Sequence, residues 1–404
     1  MSNQLLMSSN HNLTVNTNVI TSSPDFLSDF ASGLVYLVLN ALIIPFTLLL
    51  GSFTNLLNIV VYHRMGLKDT VSVAFFSLSL SDLVYLLIHL SNFIGSVVLF
   101  ANELAGEQLT ETFVRLINPF FPYIMMWYAS WPYDISVLTT VFISLQRCLC
   151  IALPFRFKSL FTRERTVFVI GFIYVYVTSS YTLIFTTFSL TTVVNPQTNA
   201  SALFLSYDKD GAIKETIFYW MNRILLQIVA QIAIFLNVLI LATCLARSAK
   251  FRQDAKRNTT LDQESTSCST SNLNSKFSSG PRQSSTDSKS KMITKSQKEH
   301  SADTSSALSG KEVQVIKSVT LVAVLFLLTN LPANILFCVN RFVPGFSMGG
   351  DYSNTFLAFY TLRTEIEIVN ASVNFFVYYH CNTKFRNATR LIVGKLMRRQ
   401  LDVV

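Results

Sequence analysis

The chain has 404 residues, of which 50% are hydrophobic and only 14% are charged, and its formal net charge is +9. This composition is too apolar for an ordinary soluble domain of that length. The positive charge does not indicate a nucleic-acid partner, because the basic residues flank apolar runs and form no continuous face. We therefore interpret the basic residues as signals of membrane topology.

Seven apolar runs are long enough to cross a membrane as helices, at about 34–62, 71–100, 120–151, 166–190, 216–246, 313–341 and 354–380. About 20 apolar residues in a helix span a hydrocarbon core of ~30 Å. Such lengths also fit buried helices of a very large soluble core, but seven in one chain favour a membrane protein. The sequence therefore predicts an all-α membrane protein, a seven-transmembrane helix bundle.

Basic residues set the predicted orientation. Residues 1–33 contain no Lys or Arg, whereas the segments after the first, third and fifth runs and the tail are basic. The positive-inside rule then places the N-terminus outside and the C-terminus in the cytosol. The predicted regions are an extracellular N-terminus (1–33), helices 1–5 (34–257), a third cytosolic loop (258–310), helices 6 and 7 (311–380) and an amphipathic eighth helix with a short tail (381–404).

Three features outside the spans suggest modification or lipid contact. Asn12 and Asn199 begin sequons on segments predicted to lie outside, so both are candidate glycosylation sites. Residues 258–310 are rich in Ser and Thr and poor in large apolar side chains, which predicts disorder and phosphorylation by kinases, or else a mere spacer. The basic amphipathic helix after residue 381 is suited to contact lipid at the inner interface.

Ionisable and amide side chains inside the apolar runs point to the bundle interior. Asp82 stands in the middle of the second run, and an unpaired carboxylate there would cost several kcal/mol. Asn residues in spans usually join helices to one another. Pro332 should kink the sixth run and free a backbone carbonyl, as a lever or as a structural feature only.

A second polar set lies nearer the predicted outer ends. Aromatic and charged groups that converge from several spans suggest a ligand pocket, while an aromatic belt with internal salt bridges is the alternative. Three charges in one run, Arg363, Glu365 and Glu367, are the least ordinary of the set. The pocket candidates are His89, Tyr128, Tyr133, Asp134, Gln227, Asn334, Glu365 and Glu367.

Arg147 ends the third run where apolar sequence meets a basic cluster. A guanidinium does not rest cheaply in hydrocarbon, so Arg147 should sit near water or polar protein. It either anchors the helix by reaching the inner interface or lines a cytosolic cleft that can close. This stretch alone does not distinguish the two.

The order and spacing of these residues resemble the rhodopsin-like (class A) family of G-protein-coupled receptors, over about 34–397. Arg147 matches the family's central Arg, and Pro332 its sixth-helix Pro. The other positions that carry the resemblance are Asn55, Leu78, Asp82, Pro154, Phe326, Asn374, Tyr378, Phe385 and Arg386. The resemblance is greatest to divergent invertebrate orphan, chemosensory or peptide receptors.

Several positions depart from the family pattern. Gln146 replaces the acid before the Arg, and Asn330 replaces the aromatic toggle of the sixth helix. No Cys lies near Pro122, where the family has its third-helix Cys, and none lies in the loop 191–215. The family's usual disulfide is therefore absent, and the sequence does not explain what fixes the second extracellular loop. Ala129 and Ile368 stand at the amine-binding and retinal positions, which disfavours a monoamine ligand and an opsin.

The resemblance implies a plasma-membrane receptor that transmits an extracellular peptide or chemosensory cue to heterotrimeric G proteins. Gln146, Arg147, Phe326, Pro332, Asn374 and Tyr378 would serve activation and coupling. Asp82, Ser136, Asn370 and Asn374 would bind an internal sodium ion, with no other cofactor or metal, and arrestin and kinases would act on 258–310.

Two other classes of function remain as alternatives. A transporter or channel would show matching halves and broken helices, and we find no matching halves. An enzyme is not expected, because no His/Glu metal motif or nucleophile motif lies in the spans.

Overall fold

The computed structural model describes residues 25–105, 120–152, 154–194, 201–244, 246–247, 250 and 310–401. The predicted glycosylation sites Asn12 and Asn199, and all of the predicted loop 258–310 except its last residue, lie outside the described residues. Contacts divide the chain into one unit of Met1–Ile240 with Gln314–Val404 and another of Leu241–Val313. The contacts that build the helical bundle belong to the first unit.

Eight long helices make up most of the described residues, and we number them in chain order. They are α1 (Asp29–Met65), α2 (Thr70–Ala105), α3 (Phe120–Ala152), α4 (Arg163–Phe185), α5 (Gly211–Cys244), α6 (Gly310–Phe342), α7 (Ser353–Cys381) and α8 (Thr383–Leu401). A short helix, Pro154–Leu160, lies between α3 and α4.

Length and composition alone qualify five of these helices to cross a membrane: α1, α2, α4, α5 and α6. The other two of the predicted seven, α3 and α7, bury charged side chains such as Asp134, Arg363 and Glu367. Charged side chains inside a membrane span face protein and not lipid.

The fourth helix ends earlier than predicted, and a β-hairpin follows it. α4 stops at Phe185, not at residue 190. Strand β1 (Phe188–Val194) pairs antiparallel with β2 (Ser201–Tyr207), with Phe188 opposite Tyr207. A short run of apolar and β-branched residues fits a strand as well as a helix end, so hydropathy could not separate the two.

No disulfide forms among the described cysteines, and backbone hydrogen bonds hold the base of the hairpin instead. The Asp208 amide donates to the Thr187 carbonyl at 2.9 Å. Lys214 Nζ donates to Asp208 Oδ2 at 2.8 Å and to the Thr186 carbonyl at 3.3 Å. These contacts join the end of α4 to the start of α5.

Residues 25–29 form an N-terminal strap that fastens α1 to α7. Asp25 Oδ2 accepts hydrogen bonds from the amides of Asn354 (2.7 Å) and Thr355 (3.3 Å), and Asp25 Oδ1 accepts one from the Thr355 hydroxyl. The amides of the first helical turn lack partners within their own helix, and Tyr352 at the N-cap position supplies none. Asp25 therefore caps α7 from a distant part of the chain.

The helices pack in a bundle in which α2 lies against α1 and α3, and α7 lies against α1. We call the end that carries the strap and the strands the hairpin end, and the opposite end the Arg147 end. At the Arg147 end, α8 buries Phe385 and Ile392 and leaves Leu391 exposed. Its buried residues recur at helical spacing, as predicted for an amphipathic helix.

Candidate functional site

A buried network surrounds Asp134 of α3 near the hairpin end. Asp134 is 0% exposed. Its carboxylate accepts hydrogen bonds from the Tyr181 hydroxyl at 2.7 Å, Gln227 Nε2 at 2.8 Å and Arg223 Nη1 at 3.5 Å. Arg223 Nη2 also donates to the Tyr181 hydroxyl at 3.1 Å. The network joins α3, α4 and α5, and it provides the partners that a buried charge requires.

A π-helical stretch in α5, Tyr219–Leu225, explains how Arg223 reaches Asp134. The successive residues Asn222, Arg223 and Ile224 are all buried. In a regular α-helix three successive residues sweep about 200°, so they do not all face the same neighbouring helix. A π-helical turn widens the helix and keeps all three on the inner side. Such interruptions are frequent at functional sites.

A second buried ion pair lies on α7. Arg363 Nη2 donates to both carboxylate oxygens of Glu367, at 2.6 and 2.7 Å, and Nε donates to one of them at 3.0 Å. The Tyr85 hydroxyl of α2 donates to the same carboxylate at 3.4 Å. Removal of one partner of a buried pair typically destabilises by about 3–5 kcal/mol, because the other charge is left unpaired.

The predicted pocket residues do not all meet. Asp134, Gln227 and Glu367 belong to the two networks above. The Tyr133 hydroxyl donates to Asn330 Oδ1 of α6. The His89 ring contacts Tyr85 edge-on, with centroids 4.6 Å apart.

Three other candidates stand apart from these networks. Tyr128 is 40% exposed and stacks on Phe185. Glu365 accepts a hydrogen bond from Thr47 of α1 at 3.3 Å, so it faces away from Glu367. Asn334 is half-buried and makes no hydrogen bond through its side chain within the described part of the chain.

Asp82 forms a polar centre in the middle of the bundle. Ser136 Oγ of α3 donates to Asp82 Oδ1 at 2.6 Å, and Asn374 Nδ2 of α7 donates to Oδ2 at 2.8 Å. Asn370, the fourth predicted member, is half-buried and makes no hydrogen bond to Asp82 among the described residues. The structure thus joins three of the four residues predicted to bind sodium.

Arg147 is 8% exposed at the other end of α3. Its Nη2 atom is buried and has no hydrogen-bond partner in the described ranges. Tyr62 and Asp69 lie close enough to act on its charge. Gln146, the neighbour that replaces the family's acid, instead donates to Thr166 of α4 at 3.3 Å.

Of the other residues predicted to serve activation, Asn374 lies beside Asp82, Tyr378 lies on α7, and Phe326 and Pro332 lie on α6. Tyr378 is buried, and its ring packs 4.5 Å from Phe75 and 5.8 Å from Tyr62, measured between centroids. Phe326 is buried on α6, and its carbonyl accepts a hydrogen bond from Asn330 Nδ2 at 2.9 Å. Pro332 lies within α6.

Sequence reasoning did not select Tyr85 and Tyr181, which prove central to the polar networks. It placed Arg223 and Arg363 in the polar set near the predicted outer ends but did not name them as pocket candidates, although an Arg within an apolar run is a signal in its own right. The sequence does not distinguish Tyr85 and Tyr181 from other tyrosines, because tyrosine is common near the ends of membrane spans. Their hydroxyl contacts depend on how the helices are rotated.

The chain matches the family of seven-transmembrane receptors described as "7 transmembrane receptor (rhodopsin family)" over residues 54–378. No curated protein shows significant similarity to the chain. The match covers more than half of the chain and includes Asp82, Arg147, Pro332 and Tyr378. Members of this family are membrane receptors that signal through heterotrimeric G proteins, not enzymes. The seven-helix bundle with its buried polar centres along α3 thus belongs to a receptor of the rhodopsin family.

Proposed function

We propose that this protein is a plasma-membrane receptor that passes an extracellular peptide or chemosensory cue to a heterotrimeric G protein. The hairpin end would face outside and the Arg147 end the cytosol. The observation that carries this proposal is the set of polar residues on α3. Asp134 lies in the network near the hairpin end, Ser136 lies beside Asp82, and Arg147 lies at the opposite end of the helix. One rigid helix thereby touches both proposed binding regions.

A ligand at the hairpin end would act by shifting an equilibrium between two arrangements of the bundle. In the arrangement described here, Arg147 is buried with one donor unmet, which is unfavourable for a guanidinium. Movement of α6 about Pro332 would open the Arg147 end and offer that donor to a partner. Asn330 links this movement to α3, since it binds both the Tyr133 hydroxyl and the Phe326 carbonyl.

A cell-based assay of G-protein activation tests the proposal. We expect Arg147→Ala to abolish both ligand-free and ligand-stimulated activation at equal surface expression. Arg64→Ala is the matched control, because Arg64 lies in the last turn of α1 at the same end and is exposed. Normal signalling by the Arg147→Ala protein would contradict the assignment.

A transporter or channel is the second candidate, and flux measurements separate it from the receptor. Purified protein in liposomes should show no ligand- or ion-driven flux above empty liposomes. Saturable flux that Arg147→Ala leaves intact would favour the transporter.

Asp82, Ser136 and Asn374 are proposed to hold an internal sodium ion. Carboxylate, hydroxyl and amide oxygens are the donors that hard cations prefer. Two further hydroxyls, Ser79 Oγ and Thr139 Oγ1, lie one helical turn away and are buried without a hydrogen-bond partner among the described residues. The site therefore offers more oxygen donors than its own contacts use.

Sodium dependence tests this site directly. We expect NaCl, compared with KCl at equal ionic strength, to raise the unfolding temperature of the purified receptor and to change agonist affinity once an agonist is known. Asp82→Asn should abolish both effects, because it removes the only charged oxygen donor of the three. A sodium effect that persists in Asp82→Asn would exclude the site.

Partners beyond the G protein follow from the same proposal. The basic residues of α8, Lys384 and Arg390, are exposed beside the apolar Leu391. This arrangement suits contact with anionic lipid at the inner interface. Residues 258–310 would be the substrate of kinases and the contact for arrestin.

A further inference from the structure

The aromatic ring of Phe337 on α6 lies close to two guanidinium groups from different helices. Arg223 of α5 places its Cζ atom 5.9 Å from the ring centroid, and Arg363 of α7 places its Cζ atom 4.8 Å from it. Among the cation–π contacts of the described residues, no other ring receives two cations. A guanidinium within about 6 Å of a ring centroid is attracted by the negative face of the ring.

Both guanidinium groups are fixed by contacts of their own. Arg223 is bound in the Asp134 network, and Arg363 is bound to Glu367. Both side chains are more than nine-tenths buried. Water therefore screens the attraction only weakly, and each contact is stronger than at an exposed site.

The backbone of Phe337 is also held. The Tyr219 hydroxyl of α5 donates to the Phe337 carbonyl at 3.2 Å, and the two rings meet edge to face with centroids 6.0 Å apart. Phe337 thus contacts α5 through its carbonyl and its ring, and α7 through its ring. It lies between Pro332 and the end of α6, on the segment that must move if α6 pivots.

We propose that Phe337 is a positioning residue that holds the outer half of α6 between the ion pairs of α5 and α7. Loss of its ring removes the two cation–π contacts that tie α6 to Arg223 and Arg363, while each guanidinium keeps its carboxylate partner. α6 is then free to leave the position in which Arg147 is buried. This role rests on the proposed receptor function, because it describes how that receptor is kept in its resting state.

Ring-fluorinated phenylalanines at position 337 give the sharpest test, since fluorine weakens the negative ring faces with little change in shape. We expect ligand-free G-protein activation to rise stepwise with one, two and three fluorines. Phe337→Leu, which has no ring, should raise it about fivefold or more, the change expected on loss of one or two desolvated cation–π contacts. Phe337→Tyr should behave like the unmodified receptor.

Trp220→Leu is the matched control. Trp220 is also an aromatic residue at this end, where it lies on α5 and faces α6. Its ring receives one guanidinium, that of Arg341, whose Cζ atom lies 5.4 Å from the ring centroid. We expect no rise in ligand-free activation for this variant. A rise equal to that of Phe337→Leu, or no effect of fluorination, would overturn the proposal.

Hydrogen exchange of the α6 amides separates failure of this role from failure of the receptor function. Phe337→Leu should speed exchange in residues 333–342, and Trp220→Leu should not. If exchange responds in this way but no variant activates a G protein, the receptor function fails and the positioning role stands. If activation is measurable but neither exchange nor activation responds to position 337, the positioning role fails alone.

Discussion

At the scale of single residues, Gln146 shows how a substitution in a motif changes its neighbourhood. The family's acid would lie beside the Arg, whereas Gln146 donates to Thr166 and leaves Arg147 without a neighbouring negative charge at that position. Asp69, which precedes the first residue of α2, also affects the charge of Arg147, but its side chain is exposed. Charges in water contribute little to a buried partner.

We therefore expect Gln146→Asp to lower ligand-free signalling. A carboxylate at this position adds a charge-assisted contact worth ~1.5–3 kcal/mol to the arrangement in which Arg147 is buried. A reporter assay at matched surface expression measures the effect, with Gln146→Asn as the neutral control. Equal output from the Asp and Asn variants would refute the argument.

Gly51 allows α1 and α7 to approach each other closely. A Cβ atom added at Gly51 would lie 2.0 Å from Ser372 Oγ, 2.9 Å from Ser372 Cβ and 3.0 Å from Leu86 Cδ1. Two cross-helix hydrogen bonds flank this point: Asn55 Nδ2 donates to the Ala371 carbonyl at 2.8 Å, and Thr54 Oγ1 donates to the Ser372 carbonyl at 3.3 Å. Small residues at close helix contacts are typical of membrane bundles.

Gly51→Ala should destabilise the protein by about 1–3 kcal/mol, because the clash forces α1 away from α7. The unfolding temperature of purified receptor measures this. Gly171→Ala is the control, since nothing lies within 4 Å of a Cβ atom added there. Equal unfolding temperatures for the two variants would show that the close contact does not limit stability.

At the scale of elements, the N-terminal strap is a feature that sequence reasoning did not predict. Asn354 adds to the Asp25 cap, because its Nδ2 atom donates to the Leu27 carbonyl at 3.2 Å and to Asp29 Oδ1 at 2.6 Å. Phe26 stacks on Tyr352, with ring centroids 5.8 Å apart. The strap thus fixes the start of α7, at the hairpin end, to the start of α1.

Asp25→Ala should lower the unfolding temperature by about 2 °C, since loss of a capping side chain costs ~1 kcal/mol. Burial opposes ionisation of Asp25, but hydrogen bonds from Thr355, Asn354 and Leu27 outweigh it and hold the pKa of Asp25 below its ordinary value. A lowered folded-state pKa gives stability that is present above the unfolded-state pKa and lost as pH falls through the folded-state value. The difference in unfolding temperature between the unmodified protein and Asp25→Ala should therefore be constant from pH 5 to pH 8. A difference that changes within this range would contradict the account.

The β-hairpin shows how the second loop is held without a disulfide. Its base rests on the Asp208–Thr187 backbone hydrogen bond and the antiparallel pairing of β1 with β2. The Asp208–Lys214 ion pair is partly exposed and adds little on its own. These contacts tie the base of the hairpin to the end of α4 and the start of α5.

At the scale of the whole molecule, the paired buried charges lie on α3, α5 and α7, Asp82 lies buried on α2, and apolar side chains cover the outer surfaces. Asp134 and Arg223 balance one another, as do Arg363 and Glu367. Paired charges can lie within a bundle that crosses a membrane, because each is neutralised and hydrogen-bonded inside the protein.

The proposed orientation predicts that the two chain termini lie on opposite sides of the membrane. An epitope at the N-terminus should bind antibody on intact cells, and one at the C-terminus should bind only after permeabilisation. The basic segments that flank the Arg147 end give the physical reason, since positive charge is retained in the cytosol. Both epitopes on the same side would refute the proposed topology and with it the G-protein assignment.

The sequence by itself determined the number of spans, the family and the order of the polar centres along α3. These follow from run length and residue spacing, which are properties of the chain taken one segment at a time. Only the tertiary structure decided which charges pair. Arg223 meets Asp134 because a π-helical stretch turns it inward, and Glu365 departs from Glu367 because residues two apart face opposite sides of a helix. Contacts between helices depend on the rotation of each helix in the bundle, and the sequence of one helix by itself does not specify that rotation.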